Sequence, residues 1–441
     1  MRRKEKSMGV VFSLLSWVLA ISMVVALFRI GAATDELTYD DVFRFADIHG
    51  VITDRTGQII YDGQVTDFKA YANTIGHGNF MHNTVLYRHA AKLVPGSVNS
   101  LTGYRTVEGE PRQMKTTLLP QEDQLHLISQ FKDRKGCCFA FNYETGEIYT
   151  MITLPHFAPD YENAAYINRC VDSLYTPGST MKLIATIVAA DQKIKLKDLS
   201  YTCNGSFQLP DGSKINCPTS HGKLVFDEAL GKSCNGFFAY LITQFDVEKA
   251  IETLEELGFE VNENDHEKTE MDGLTRPSSS TVFANTKRFD DVWALIGQGQ
   301  SQVSPVSMAM IAGAVANGGK VAEPYLISSV ENPNKNKVTY EAERDTEKLL
   351  SASTASTVKK NWYSGTREYD YTYYKIGLDE TVTYAKTGTS EVGDTSENSL
   401  LVGVIEEAKT AFYIIVEDSK GSGVSTFTIA NELAKVVPRA K

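Results

Sequence analysis

The sequence predicts an α+β protein built around one antiparallel sheet, and three observations predict it. Cys138-Phe139-Ala140-Phe141-Asn142 and Glu147-Ile148-Tyr149-Thr150-Met151-Ile152 are β-rich runs joined at Glu144-Thr145-Gly146. Strand-like runs return near the end, at Thr383-Tyr384-Ala385, Leu400 to Ile405 and Ala411 to Val416, before a closing helix from Ser425 to Val436. Between them lie apolar helical segments around Leu224 to Leu230, Phe237 to Phe245, Val247 to Leu257 and Val306 to Ala316. Strands at both ends with helices between imply one sheet whose strands are brought together from both ends of the domain.

The chain opens with a membrane signal. Arg2, Arg3, Lys4 and Lys6 precede a run from Gly9 to Phe28 that carries no charge. As a helix those twenty residues span roughly 30 Å, enough to cross a bilayer. Residues 1–8 then read as a cytoplasmic tail, 9–28 as the anchor, and everything after Arg29 as extracellular, because positive charge stays inside. A cleaved signal peptide is the rival, with Gly31-Ala32-Ala33 as small residues where a peptidase cuts, but the apolar run is long for one. Ala33 to Asp41 is a polar, acidic tether. Val51-Ile52-Thr53 and Ile59-Ile60-Tyr61 flank an Asp/Thr/Gly turn, a hairpin. Residues 29–120 otherwise show weak periodicity with punctuation at Pro95-Gly96 and Gly103, and read as a small irregular non-catalytic domain. Leu125 to Phe131 is a helix near the start of a second domain, 121–441.

Composition narrows the function. The chain has 441 residues and a formal net charge of −11, which argues against a general nucleic-acid binder. Its eight histidines form no His-Glu-x-x-His pattern and no Cys/His pairing of zinc spacing, so neither a metal nor a cofactor is expected. In an exported chain the six cysteines matter. Cys203 and Cys217 flank the turn-rich segments Asn204-Gly205-Ser206 and Pro210-Asp211-Gly212-Ser213, a hairpin that could join them as a disulfide. Cys137 and Cys138 sit in a strand and read as small core residues facing opposite sides.

The chemistry starts at Pro177-Gly178-Ser179-Thr180-Met181-Lys182, which opens a helix apolar or small on every face except at Lys182. Such a helix belongs in a core, where an ammonium group loses hydration and moves toward the neutral amine, a base. Ser179 stands three residues earlier, on the same face, in the first turn, where free N–H groups favour negative charge. That is the arrangement of an activated nucleophile. The plain alternative is a helix-start serine with a snorkelling lysine, and Ser356-Thr357-Val358-Lys359 repeats the spacing in a polar run.

Ser233-Cys234-Asn235 sits in a loop after a helix and can present a hydroxyl and a carboxamide; Ser97-Val98-Asn99 and Ser396-Glu397-Asn398 share its pattern. Lys386-Thr387-Gly388-Thr389-Ser390 directly follows a short strand, and its glycine lets a ligand backbone come close. Each motif alone is weak. In this order, Ser-x-x-Lys, Ser-x-Asn and Lys-Thr-Gly form the signature of active-site-serine penicillin-interacting enzymes.

On these residues the chain resembles the class B penicillin-binding proteins, membrane-anchored peptidoglycan D,D-transpeptidases. Further likeness lies in His49-Gly50-Val51-Ile52-Thr53-Asp54-Arg55-Thr56-Gly57, with His49 where arginine is usual, in Glu144 to Ile148, in His221-Gly222, and in Gly297-Gln298-Gly299-Gln300 leading to Asn317-Gly318-Gly319. One departure is Ser399-Leu400-Leu401-Val402-Gly403 where the family carries aromatic residues. The resemblance implies a transpeptidase and serine β-lactamase-like fold, an antiparallel sheet with an all-helical subdomain. It implies Ser179 as nucleophile, Lys182 as base, Ser233 as proton relay, Asn235 holding a substrate amide, and Lys386, Thr387, Gly388 and Thr389 at the substrate carboxylate. It further implies stem peptides ending in D-Ala-D-Ala as substrate, β-lactams as covalent inhibitors, the cell membrane as location and a polytopic glycan polymerase as partner. A D,D-carboxypeptidase, a β-lactamase, and a non-catalytic β-lactam sensor or scaffold are the alternatives.

Overall fold

The computed structural model describes residues 2–36, 50–76, 83–102, 104–107, 109–157, 167–263, 266–335, 337–367, 377–392 and 396–439. His49, Gly103 and the 37–41 part of the tether lie outside the described residues.

The central sheet has five antiparallel strands in the order Tyr384–Val392, Ser396–Ile405, Thr410–Val416, Gly136–Asn142, Ile148–Leu154. It joins the two ends of the second domain, as the strand pattern requires. Strands Gly136–Asn142 and Thr410–Val416 are buried at every residue, because both faces of the sheet are covered. The period of two divides their side chains cleanly. Cys137, Phe139, Phe141, Tyr413 and Ile415 enter the main core with the Ser179 helix. Cys138, Ala140, Phe412, Ile414 and Val416 enter a second core under the closing helix Thr426–Val436.

The helices lie where apolar periodicity placed them, with shifted ends. Leu224 belongs to the strand Gly222–Val225, and its helix starts at Phe226. The next two run Asn235–Ile242 and Val247–Glu256, and Pro305–Ala316 is buried throughout. The sequence reading missed Phe68–Ile75 and Val85–Leu93 in the 29–120 region, and in the second domain it missed two packed helices, first Phe289–Ile296 and second Ala352–Arg367. The second is rich in Ser and Thr, poor helix formers; burial of Ala355, Val358 and Trp362 on one face stabilises it instead.

A second five-stranded sheet runs Lys337–Glu341, Ile327–Asn332, Gln113–Thr116, Val51–Thr53, Ile59–Asp62. Strand pairing therefore crosses the division at residue 120, since Gln113–Thr116 bonds to Val51–Thr53 on one side and Ile327–Asn332 on the other. The hairpin turn is set by buried Asp54, whose Oδ1 accepts from Thr56 N at 2.8 Å, Thr56 Oγ1 at 2.7 Å and Gln58 N at 3.0 Å. Arg55 then reaches across, its guanidinium 4.8 Å from the Tyr149 ring centre and 3.8 Å from Glu147. The 50–57 part of the motif beginning at His49 thus docks on the first strand pair of the central sheet.

At the N-terminus one helix spans Arg2–Ala32. Its Ser13–Ala32 segment has a mean hydropathy of 2.1 and is not buried by any of the described residues, which fits a single-pass membrane anchor.

Candidate active site

Ser179 lies in a 3-10 turn, Gly178–Thr180, that runs directly into the helix Met181–Asp191. Met181 to Ala190 are all buried, and Lys182 is fully so. The helix is the core element its composition implies, and it carries one amine into an apolar interior. Burial, and then the charge of Lys386, pushes the Lys182 amine well below the ordinary lysine range.

The surroundings of Lys182 Nζ suit a neutral amine. Asn235 Oδ1 lies at 2.7 Å and the Ser233 carbonyl oxygen at 3.1 Å. Both can only accept. The Asn235 orientation follows from its Nδ2, which donates to the Asn216 carbonyl at 2.9 Å. A neutral amine has two N–H bonds and one lone pair. With both N–H bonds given to these acceptors, the lone pair is left for a hydroxyl, and Ser179 Oγ is 2.7 Å away. Ser233 Oγ is a further 3.1 Å contact, and it is also 3.1 Å from Lys386 Nζ. One hydroxyl therefore bridges two lysines.

Ser233 holds this place with φ of 55°, a left-handed conformation uncommon for a residue with a Cβ. Cys234 follows as the cap of helix Asn235–Ile242. The motif is thus a strained corner at a helix start, and both its polar side chains are turned back onto Lys182.

Lys386 to Ser390 lie inside a nine-residue strand, Tyr384–Val392, and do not merely follow a short one. The sequence reading ended the strand at Ala385 because the Lys-Thr-Gly-Thr-Ser run has turn-like composition; nine consecutive pairs with Ser396–Val404 hold it extended. Among the described residues this strand is one of the two edges of the sheet. The Thr389 carbonyl accepts from Gln298 Nε2 at 3.1 Å on the side away from the neighbouring strand. In an extended strand a residue's N–H points the same way as its C=O, so the Thr389 N–H faces the cleft.

Gly178 and Gly388 let this edge sit on the serine turn. A Cβ on Gly178, whose φ is +53°, would stand 2.4 Å from the Thr389 carbonyl oxygen. One on Gly388 would stand 2.7 Å from the Pro177 carbonyl. Together these elements enclose a cleft of about 1020 Å³ lined by Ser179, Ser233, Asn235, Thr387, Gly388 and Thr389. The cleft brings together a hydroxyl beside a buried amine, a second hydroxyl between two lysines and an edge strand of the sheet. That combination suits attack on the carbonyl of an extended peptide laid along the edge.

Residues 136–436 match the family model described as the penicillin binding protein transpeptidase domain. The chain belongs to this family. Among relatives, the peptidoglycan D,D-transpeptidase PbpA of Mycolicibacterium smegmatis is 24% identical over 392 residues, covering 79% of this chain and 78% of its own. The peptidoglycan D,D-transpeptidase MrdA of Acinetobacter baumannii is 25% identical over 226 residues, 46% of this chain and 34% of that one. Among solved structures, penicillin-binding protein A from M. tuberculosis as an imipenem acyl-enzyme complex superposes with a TM-score of 0.73 at 19% identity, over 90% of this chain and 99% of that one. The D,D-transpeptidase domain of an Eggerthella lenta peptidoglycan glycosyltransferase gives 0.72 at 19% identity, over 89% and 98%. The fold is that of the penicillin-binding protein transpeptidase domains.

All eight residues singled out from the sequence meet at this cleft. The serine, lysine and asparagine of the repeats that start at Ser97, Ser356 and Ser396 do not line it, although Glu397, between Ser396 and Asn398, does. Ser356 is exposed on helix Ala352–Arg367, and Lys359 instead donates to the Ala316 carbonyl at 3.3 Å and pairs with Glu406. Gln298, which donates to the Thr389 carbonyl, stands out in the sequence only as part of a family pattern. Trp293 and Ile296 line the cleft from helix Phe289–Ile296 and carried no sequence signal. Cys203 and Cys217 are not bonded: their sulfurs stand 3.6 Å apart and all six cysteines are free. The hairpin brings them together as foreseen, but two further side chains, His221 and Cys234, share the same point.

Proposed function

We propose that this penicillin-binding protein is a peptidoglycan D,D-transpeptidase working through a serine acyl-enzyme, with its N-terminus in the cytoplasm and its catalytic cleft outside the membrane. The observation that carries the mechanism is the fully buried Lys182 amine 2.7 Å from Ser179 Oγ. The names of the relatives support the reaction, and the basic residues before the apolar helix support the orientation.

In this mechanism the Ser179 hydroxyl gives its proton to Lys182 Nζ as Oγ bonds to the penultimate D-alanine carbonyl carbon of a stem peptide. The oxyanion is held by the N–H groups of Ser179 and Thr389, each worth about 3 kcal/mol when preorganised. The C–N bond to the terminal D-alanine breaks, and its nitrogen receives a proton through Ser233, which bridges Lys182 and Lys386. Lys386, Thr387 and Thr389 hold the terminal carboxylate, and Asn235 holds the substrate amide. The amine of a neighbouring stem peptide then attacks the ester. Its proton passes to Lys182 and on to Ser179 Oγ, leaving a new amide cross-link. A β-lactam enters the same first step, and its opened ring remains on Ser179. Docking to a polytopic glycan polymerase through the anchor and the 29–120 region belongs to the same proposal.

Two measurements test this. A fluorescent penicillin labels the protein covalently and leaves Ser179→Ala unlabelled; labelling of that variant would end the serine assignment. A D-Ala-D-Ala donor incubated with an added amine yields cross-linked product, whereas released acid alone would identify a carboxypeptidase.

A further inference from the structure

Beside the catalytic cleft, four side chains from separate segments converge. Cys203 ends the strand Ser200–Cys203, Cys217 follows the strand Lys214–Asn216, His221 precedes the strand Gly222–Val225, and Cys234 caps the helix Asn235–Ile242. Their ligand atoms all lie within 4.8 Å of one another. Cys203 and Cys217 sulfurs are 3.6 Å apart, those of Cys217 and Cys234 3.8 Å, and Cys203 Sγ is 3.5 Å from His221 Nδ1.

These three distances match edges of a zinc tetrahedron, and the other three are no longer than 4.8 Å. With Zn–S near 2.3 Å and Zn–N near 2.0 Å, tetrahedral geometry puts sulfurs about 3.8 Å apart and sulfur from nitrogen about 3.5 Å. A disulfide accounts for less, because it needs sulfurs at about 2.05 Å and uses only two of the three thiols. Backbone amides also point at the sulfurs: Gly236 N–H donates to Cys217 Sγ at 3.2 Å and Phe237 N–H to Cys234 Sγ at 3.4 Å. Such donors stabilise thiolates from outside the coordination sphere. Three thiolates and an imidazole in a tetrahedron suit zinc above the hard cations.

We infer that Cys203, Cys217, His221 and Cys234 bind one zinc ion that fixes the Ser233-Cys234-Asn235 corner against the hairpin carrying Asn216. Four protein ligands close the tetrahedron, so the ion is structural and leaves no position for water or substrate. Its effect on chemistry runs through neighbours. Cys217 adjoins Asn216, whose carbonyl accepts from Asn235 Nδ2 at 2.9 Å, and Cys234 lies between the two residues that face Lys182. Cross-linking Cys217 and Cys234 through a metal holds Ser233 at its φ of 55° and keeps Asn235 Oδ1 on the amine. The ligands are positioning residues.

The test uses the full chain purified in detergent without chelator. Elemental mass spectrometry should find about one zinc per chain, and titration with an organomercurial should release it to a chromogenic chelator. Cobalt exchanged into the site should show sulfur-to-cobalt charge transfer and the intense ligand-field bands of a tetrahedral centre. Cys217→Ser should lose the metal and acylate with penicillin at least about tenfold more slowly, while Cys217→His, which restores a zinc ligand, should recover both. Chelator-stripped protein that stays folded by circular dichroism should regain acylation when zinc is added. A metal-free protein that takes up no cobalt overturns the inference, as does a Cys203–Cys217 disulfide found by peptide mapping. Those wild-type readouts stand even where a variant fails to fold. Acylation unchanged by stripping would overturn the positioning role alone.

Discussion

Replacing Gly178 by alanine should disable acylation while leaving Ser179 and Lys182 in the chain. The added Cβ would sit 2.4 Å from the Thr389 carbonyl oxygen, 2.7 Å from its carbon and 2.9 Å from its nitrogen, all closer than the 3.0 Å that real Cβ atoms respect. Strand Tyr384–Val392 must therefore withdraw from the serine turn by about 0.6 Å, judged from the shortest of these approaches. The obstacle is backbone held by nine consecutive register pairs, so no side-chain rotation relieves it. Alanine at φ of +53° adds about 1–2 kcal/mol of backbone strain. The strand that moves carries the Thr389 N–H. Loss of one oxyanion donor costs about 100- to 1000-fold in rate, and a misplacement near 1 Å about 100-fold. We therefore expect the second-order acylation constant for a fluorescent penicillin to fall about 100-fold, or about 2.7 kcal/mol. The assay is time-resolved gel fluorescence at several penicillin concentrations, with a thermal melt to confirm folding. A folded Gly178→Ala protein that acylates within about threefold of the parent would refute the placement of Thr389 in the oxyanion site.

Acylation should rise with pH and then level, because the reacting form is neutral Lys182 and its proton affinity is lowered first by burial and next by Lys386; Lys386→Met should move the rising limb to higher pH, and a pH–rate profile that falls over this range would contradict the base assignment. Asn235→Asp places a carboxylate where Oδ1 now lies 2.7 Å from Lys182 Nζ, which favours the ammonium form; acylation should drop at neutral pH and partly recover in alkali, and an unchanged profile would argue against that contact. Ser356→Ala should label with penicillin at the parent rate, and Lys359→Ala should lower stability by no more than about 1 kcal/mol in a denaturant titration, since its partner Glu406 is partly exposed. Leu401→Ala, fully buried in the sheet next to the Lys-Thr-Gly strand, should cost about 2–5 kcal/mol of stability by the same titration; a loss below about 1 kcal/mol would show that the sheet tolerates a void there.

Much of this protein can be read before folding because the relevant signals are local. Apolar character on every face of Met181 to Ala190 marks a buried helix, and a lone lysine inside it marks an amine driven toward neutrality. The apolar run after Gly9 is long enough for an anchor, and the strand pairs at either end imply the sheet. Where local propensity and tertiary demand disagree, the sequence misleads. The Lys-Thr-Gly run looks like a turn yet is held extended by its neighbour, and Ala352–Arg367 looks like a polar loop yet is helical because Trp362 and Val358 are buried.

The residue chemistry and the order of the motifs were therefore legible in the sequence, but the distances that join one copy of each were not. Four Ser-x-x-Lys and three Ser-x-Asn matches are equal as strings; the fold puts one of each within 3.1 Å of Lys182 Nζ. The same holds for the four metal-ligating side chains. Cys203, Cys217 and Cys234 are too far apart in the chain for a short spacing motif, and two hairpins and a helix cap are needed to bring them and His221 to one point. Helix and strand periodicities depend on near neighbours along the chain, so sequence displays them. Distances between remote segments are set by how whole elements pack, and that information exists only once the core has closed.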